Sequence, residues 1–270
     1  MTDRDRFRPF TGDTSKKVRL QSNPLALVLC QIRWPEFGHL QTDLRSIALS
    51  FGAALPDYPI FEEVREMAYQ ITPEGVQQHP GDTLFHWTSV DRKWHVMLSR
   101  RFVSLFATTY EEFDELACRL QDLLENVAVH VKIPLVERVG VRYVNRLSNP
   151  DVLSDLGGYV RPEVLGYASL APVSRDVVVT SSTNQVQYAI GDIGLRVRSG
   201  VLPANETVDP AVSPLPSPSW VLDLDAFSEE MILFDPKAII QVAGKLSDTA
   251  YDYFKLVITE GFVSAFGGAG

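Results

Sequence analysis

Cysteine is scarce: Cys30 and Cys118 are the two in 270 residues. Neither has a CxxC partner or a histidine at ligand spacing, so the chain has neither a disulfide framework nor a zinc site, and both thiols read as small buried hydrophobes. Long apolar runs are missing as well. None approaches the roughly 18 residues that a membrane-spanning helix needs, and the opening MTDRDRFRPF has no apolar segment after its charges, unlike a secretory signal. The expectation is a cytoplasmic protein with no membrane contact. An excess of positive charge is also lacking. The net charge is −9, which works against nonspecific binding to phosphate backbones, where affinity comes from Lys and Arg. Nucleotide and nucleophile motifs are not found: there is no GxSxG and no GxGxxG, and Gly244-Lys245 lacks the upstream glycine of a phosphate loop. No cofactor or metal is implied.

What is present is an ordinary globular composition, 45% hydrophobic and 22% charged, which excludes a disordered chain. The length allows one large domain or two modest ones. The one dense basic stretch is residues 1–22, with Arg4, Arg6, Arg8, Lys16, Lys17 and Arg19 interrupted by Asp3, Asp5 and Asp13. It reads as a solvated, flexible arm.

The organising stretch is PLVERVGVRYVNRL, residues 134–147. Its period-two alternation predicts a strand over Leu135–Leu147. An earlier run of the same shape, Leu25–Trp34, is bracketed by Pro24 and Pro35 and predicts a first strand. Between them, Leu40, Leu44, Ile47, Ala48, Phe51 and Leu55 recur at helical spacing. Strands are then predicted over Phe61–Thr72, Leu84–Val90, Trp94–Ser99 and Phe102–Thr108, with breaks of hairpin length. The clearest helix follows, with Phe113, Leu116, Leu120, Leu123, Leu124, Val127 and Val131 on one stripe and Glu111, Glu112, Asp114 and Glu115 at its positive end.

The second half repeats this order. After Leu135–Leu147 come one or two helical turns around Pro150–Gly158, then strands over Val173–Ser181, Gln185–Ile190, Gly194–Leu202 and Trp220–Asp225. Pro203–Ser219, rich in Pro and Ser, reads as a long exposed loop. Asp235 and Pro236 have the chemistry of a helix start, and the final helix runs to about Phe262, with a bend or split at Gly244 and Ser247. The fold class is α+β: two tandem units, 23–133 and 134–270, each a curved antiparallel sheet with its helices packed on one face. By element order alone this is like TATA-binding-protein-like and helix-grip folds.

Chemistry-bearing residues gather on the strand-like runs. Arg142, Tyr143 and Asn145 stand beside Glu137 and Arg138, and the pair Arg33–Trp34 repeats the pair Arg142–Tyr143. Arg and Asn beside aromatics can recognise a carboxylate, a phosphate or a base edge; the plainer alternative is a buried ion pair tying the sheet halves together. Asp223 and Asp225 share one strand face, where paired carboxylates can hold a cation or serve as a general base. Alternatively they are exposed acids or partners for Arg33 and Arg142. His86 and His95 can face one another across a hairpin as a metal or acid/base pair, or stand as two partly exposed neighbours.

The proline-bracketed IRWP, the YP turn before Glu62 and Glu63, the strand Trp87-Thr-Ser-Val-Asp91, Leu105 through Tyr110, RVGVRYVN and the final FKLVITEGFVSAFG together resemble a sporadically distributed bacterial protein family of about this length. The resemblance covers nearly the whole chain after the arm. It implies no activity and no catalytic residue, and the patchy distribution points to an accessory role in mobile or defence-associated systems.

The leading functional expectation, drawn from the absence of a catalytic motif, the acidic charge and the long Pro203–Ser219 loop, is therefore a non-enzymatic binding or adaptor protein that presents its sheet to a protein partner or a small ligand. Truncation of that loop is expected to leave the fold intact and weaken partner capture. A nucleic-acid-binding saddle using the basic arm and Arg33, Arg100, Arg101, Arg138 and Arg142 is the alternative, and it predicts strong salt dependence. A third is an enzyme or ligand carrier with a cavity between sheet and helix. Exposed edges at Leu84–Val90 or Trp220–Asp225 would allow homo-oligomers.

Overall fold

The computed structural model describes residues 6–15, 18, 20–72, 75–110, 112–170, 174 and 176–267, with 66–72 and 75–81 described by backbone alone. The protein is α+β, built on one nine-stranded antiparallel sheet. In chain order its strands are β1 (Leu25–Arg33), β2 (Ile60–Thr72), β3 (Gly75–Thr88), β4 (Trp94–Leu98) and β5 (Phe102–Ala107), then β7 (Arg138–Leu147), β8 (Asn184–Ile190), β9 (Ile193–Leu202) and β10 (Ser219–Ser228). Two short strands, β6 (Leu135–Val136) and β11 (Ile232–Leu233), pair with each other apart from it. Across the sheet the order is β2-β3-β4-β5-β1-β7-β10-β9-β8.

The two runs that resemble each other in sequence are the central pair. β1 and β7 run antiparallel, with Leu29 opposite Arg142 and Arg33 opposite Arg138. Both are apolar on alternate residues because one face of the sheet is covered by helices. α3 (Phe113–Asn126) and α7 (Pro236–Val257) lie there and touch each other. Between them and the sheet, Cys30, Ile32, Leu105, Leu116, Leu120, Val141, Leu224 and Leu246 are fully or almost fully buried in one continuous core drawn from both halves of the chain. Each such aliphatic side chain stabilises the fold by about 1.5–3 kcal/mol.

The helix ends follow their local chemistry. Asp235 accepts the Lys237 amide at 3.1 Å, with Pro236 at the first helical position. α3 carries Asp114 and Glu115 in its first turn and closes through a π turn, Val127–Val131, on Lys132 at φ 56°. α7 runs unbroken through Gly244 and Ser247, and the chain breaks instead at Ile258 before α8 (Glu260–Ala265). Buttressing on every side removes the bend expected there: Ala243, Ser247 and Ala250 are buried.

Other expectations change. The first helix splits at Asp43 into α1 (Gly38–Thr42) and α2 (Leu44–Ala53). Leu135–Leu147 is interrupted at Glu137, whose amide turns to the Arg33 carbonyl at 2.9 Å. Three short helices, α4 (Pro150–Ser154), α5 (Leu156–Tyr159) and α6 (Pro162–Leu165), replace the one or two turns expected after β7. The strand expected over Val173–Ser181 is not formed in its described part: residues 176–183 are irregular, and Val173 lies outside the described residues. Val177 and Val178 have strand propensity but are exposed, without a ladder to join. The Ser182 carbonyl then sits over Gly200, where a Cβ would lie 1.9 Å from it. The sheet edges are β2 and β8, so neither Leu84–Val90 nor Trp220–Asp225 is an edge.

The arm also departs from expectation. Among its described residues, Arg8 is buried against Asp248 at 3.2 Å, and the amides of Phe10 and Thr11 donate to the Asp252 carboxylate at 2.6 and 3.1 Å. Two buried acids one turn apart on α7 thus hold the arm down. Arg4, Lys16, Lys17, Arg19, Asp3 and Asp5 lie outside the described residues.

Candidate functional site

The face of the sheet away from α3 and α7 carries the polar residues. Alternation sends Val139, Val141 and Tyr143 of β7 into the helical layer and Arg138, Arg142 and Arg146 to the open side. The neighbouring strands place Arg33 on β1, Asp223 and Asp225 on β10, and Arg196 and Arg198 on β9 there too.

Register turns these residues into a lattice of charges. Asp223 sits between Val144 and Arg198 across the ladders, and Asp225 between Arg142 and Arg196. Arg142 grips Asp223 bidentately, Nε to Oδ1 at 2.8 Å and Nη2 to Oδ2 at 3.0 Å, while Arg198 reaches Oδ2 at 2.7 Å. The Asp223 side chain is 1% exposed, so its charge is held by two guanidinium groups instead of water. Burial works against the Arg142 charge, but the Asp223 and Asp209 carboxylates outweigh it and raise its pKa above the ordinary value. Arg138 meets Asp225 at 3.1 and 3.2 Å and lies over the Phe227 ring at 4.9 Å. Two glycines make room for that layer: a Cβ on Gly140 would lie 2.5 Å from Arg138 Nη1, and one on Gly194 2.4 Å from the Phe227 ring.

Around Arg33, at the C-terminal end of β1, the pairing is looser. Arg33 and Arg101 share Glu137 at 3.8 and 3.4 Å, with side chains 41% and 43% exposed. Gln31, Arg33, Asp82, Ser99, Arg101 and Phe102 border a cavity of about 250 Å³ there. Along the open face and its rim, Arg33, Arg100, Arg101, Arg138, Arg142, Arg146, Arg196 and Arg198 outnumber Glu62, Asp82, Glu137, Asp209, Asp223 and Asp225. The surplus is opposite in sign to the chain as a whole, at −9.

The residues that sequence reasoning grouped are divided between the two faces. Arg33, Arg138, Arg142, Asp223, Asp225 and Glu137 share the open side. Trp34 and Tyr143 are in the core, Trp34 donating from Nε1 to the Arg100 carbonyl at 3.0 Å. The Tyr143 hydroxyl meets Ser247 on α7 at 2.8 Å and the Tyr110 hydroxyl at 3.3 Å, and burial pushes it up to about 12. Asn145 is buried and donates to the Leu222 carbonyl at 3.5 Å. Both Arg–aromatic pairs split the same way: the arginine faces out and the aromatic faces in.

His86 and His95 do face one another, Nε2 to Nδ1 at 3.1 Å, and both rings stack on Phe106. Thr88 Oγ1 lies 3.3 and 3.2 Å from these two nitrogens. Burial lowers both pKa values, so the pair is held neutral. Among the described residues no group of three or more His, Cys, Asp or Glu is arranged to hold a metal ion. Cys30, pushed up to about 12 by burial, is an inert core thiol; Cys118, expected to be buried too, is instead exposed on α3, off the stripe of Leu116, Leu120 and Leu123 that packs in the core.

Sequence reasoning expected the loop between β9 and β10 to be exposed and to take part in partner capture, and missed its contacts with the sheet. Pro203–Pro218 lies down on the open face as a strap. Asp209 meets Arg142 Nη1 at 2.5 Å, and Arg146 donates to the Ser213 and Glu206 carbonyls at 2.7 and 3.1 Å. Val212, 5% exposed, joins Leu27, Phe106 and Val144 in a second, smaller apolar cluster. The signal was present in Asp209 and Val212, an acid and an aliphatic inside a stretch whose composition reads as solvated loop. Comparison with protein-family models and with curated proteins returns no match to this chain. No helix among the described residues is long and apolar enough to cross a membrane.

Proposed function

We propose that the protein is a non-enzymatic adaptor that takes an acidic protein partner on the open face of its sheet. One observation carries the reading: among the described residues no helix packs on one face of the sheet, which bears a local surplus of arginine on an acidic chain. Charge complementarity of this kind steers encounter and fixes register. Two tandem units, 23–133 and 134–270, would form the platform; the outward strand orders β1-β5-β4-β3-β2 and β7-β10-β9-β8, meeting at β1 and β7, support such a duplication.

The surplus also favours a nucleic-acid saddle, but the carboxylates interleaved with the arginines, Asp223 and Asp225 above all, would face the phosphates. The acids favour a protein. The test is native mass spectrometry of the protein recovered from its host at low salt, beside the double variant Arg33→Glu/Arg101→Glu, which changes two exposed and loosely paired residues. A stoichiometric protein partner that the variant loses supports the adaptor; co-purifying nucleic acid, or no partner, ends it.

A further inference from the structure

The strap shows by its own contacts what the middle of the open face accepts. Four groups on it are bound: the Asp209 carboxylate by Arg142, the carbonyls of Glu206 and Ser213 by Arg146, and the Val212 side chain by Leu27, Phe106 and Val144. A carboxylate, two backbone carbonyls and a branched aliphatic three residues after the acid, set by a turn in which Val212 N meets the Asp209 carbonyl at 2.9 Å, are what an acidic peptide folded into such a turn can offer. None of these contacts depends on the strap belonging to this chain.

The strap is also held in a way that lets it leave. It holds its own shape through internal bonds, Asn205 N to the Leu215 carbonyl at 2.7 Å, Thr207 Oγ1 to the Val212 carbonyl at 2.7 Å and Val212 N to the Asp209 carbonyl at 2.9 Å. β9 and β10 are already laddered to each other from Leu202/Ser219 onward, so lifting the loop between them breaks no sheet hydrogen bond. Beneath one side of it a cavity of about 440 Å³ opens between Ala211–Ser213 and Asn23–Ala26, with Arg146 in its wall. Lifting the strap would bare an apolar patch flanked by two arginines on an otherwise polar face.

We propose that residues 203–218 are an intramolecular placeholder, displaced when the partner supplies a segment in which an Asp or Glu precedes a Val or Ile by three residues. This rests on the adaptor reading of the face and adds the motif recognised and the means by which the site is closed in its absence. Competition between a tethered and a free ligand sets the apparent affinity, because the competent fraction scales it directly.

The test uses the full chain with residues 205–216 replaced by a Gly-Ser segment. The probe is a capped peptide of the same residues, NETVDPAVSPLP, with a control in which the positions of Asp209 and Val212 are alanine. We expect the peptide to bind the strap-replaced chain about tenfold or more tightly than it binds either the unaltered chain or than the control peptide binds, a difference of at least ~1.4 kcal/mol. A folded strap-replaced chain that ignores the peptide overturns the proposal, as does equal binding to both chains. Binding of a single-stranded oligonucleotide of about 12 residues in place of the peptide also overturns it and assigns the face to nucleic acid.

Should the replacement not fold, hydrogen exchange on the unaltered protein decides. Amides of Asn205, Ala211 and Val212 exchanging about 100-fold faster than that of Leu224 on β10 support a strap that opens alone; exchange only together with β10 overturns it. Peptide binding without any host partner would count against the adaptor alone, and a host partner without peptide binding against the placeholder alone.

Discussion

Arg142 and Tyr143 are adjacent in the chain and occupy opposite faces of the same sheet. Below the strands, Tyr143 belongs to a layer of Leu, Val and aromatic side chains with few polar atoms, its hydroxyl between Ser247 and Tyr110. Above them, Arg142 belongs to a lattice in which a carboxylate serves more than one arginine: Asp223 holds Arg142 and Arg198, and Glu137 holds Arg33 and Arg101. The covered face is specified by shape. The open face is specified by charge balance, and such a lattice has spare guanidinium valence to offer a partner.

The sharpest way to break the contrast is Asp223→Ala. It leaves Arg142 and Arg198 facing a nearly dry gap, and the expected loss is about 3–5 kcal/mol, read from urea unfolding. Replacing Asp223 and Arg142 together with leucine and methionine should recover part of that loss, because the buried pair goes together and the groups that lose a partner, Arg198 and Asp209, keep access to water; a double variant as unstable as the single would show that the open face is held by shape after all.

A smaller effect is expected on the covered side. Tyr143→Phe removes one hydroxyl with two partners and should cost about 1–2 kcal/mol. Tyr143 also gives this face a pH signature. Its pKa in the folded state, about 12, lies above the ordinary 10, so its protonated form contributes stability that is complete below pH 10 and is lost as the pH rises from 10 to about 12. The variant should flatten that part of the stability profile.

The smallest change belongs to His86 and His95. Their folded pKa values are depressed, so they contribute stability that is complete above pH 6.5 and declines as the pH falls through the lowered values. A melting temperature that falls below pH 6.5 in the unaltered protein and falls less in His95→Gln checks this.

How much of this could be read from residues alone follows the same division. The strands around Leu25–Trp34, Trp94–Ser99, Phe102–Thr108 and Trp220–Asp225, and the helices after Tyr110 and Asp235, were legible because burial on one side writes a period into the sequence. The partnership of Arg142 with Asp223 was legible as an alternative, since both alternate with apolar neighbours. The outer part of the β2–β3 hairpin was not. GVQQHPGD has no apolar period, and its backbone pairing with Met67–Thr72 is fixed by the partner strand rather than by its own composition. Grouping Tyr143 with Arg142 failed for a geometric reason, as consecutive strand residues point apart. The strap failed for another: two side chains, Asp209 and Val212, and two backbone carbonyls anchor it, and such anchoring leaves no periodic trace.

The central position of β1 has a consequence for how the chain is made. Leu25–Arg33 leaves the ribosome before either of its two neighbours, Phe102–Ala107 and Arg138–Leu147. At ordinary elongation rates the second of these emerges on the order of ten seconds later. During that interval LALVLCQIR is an apolar strand with both edges unpaired, the kind of segment that nascent-chain chaperones hold.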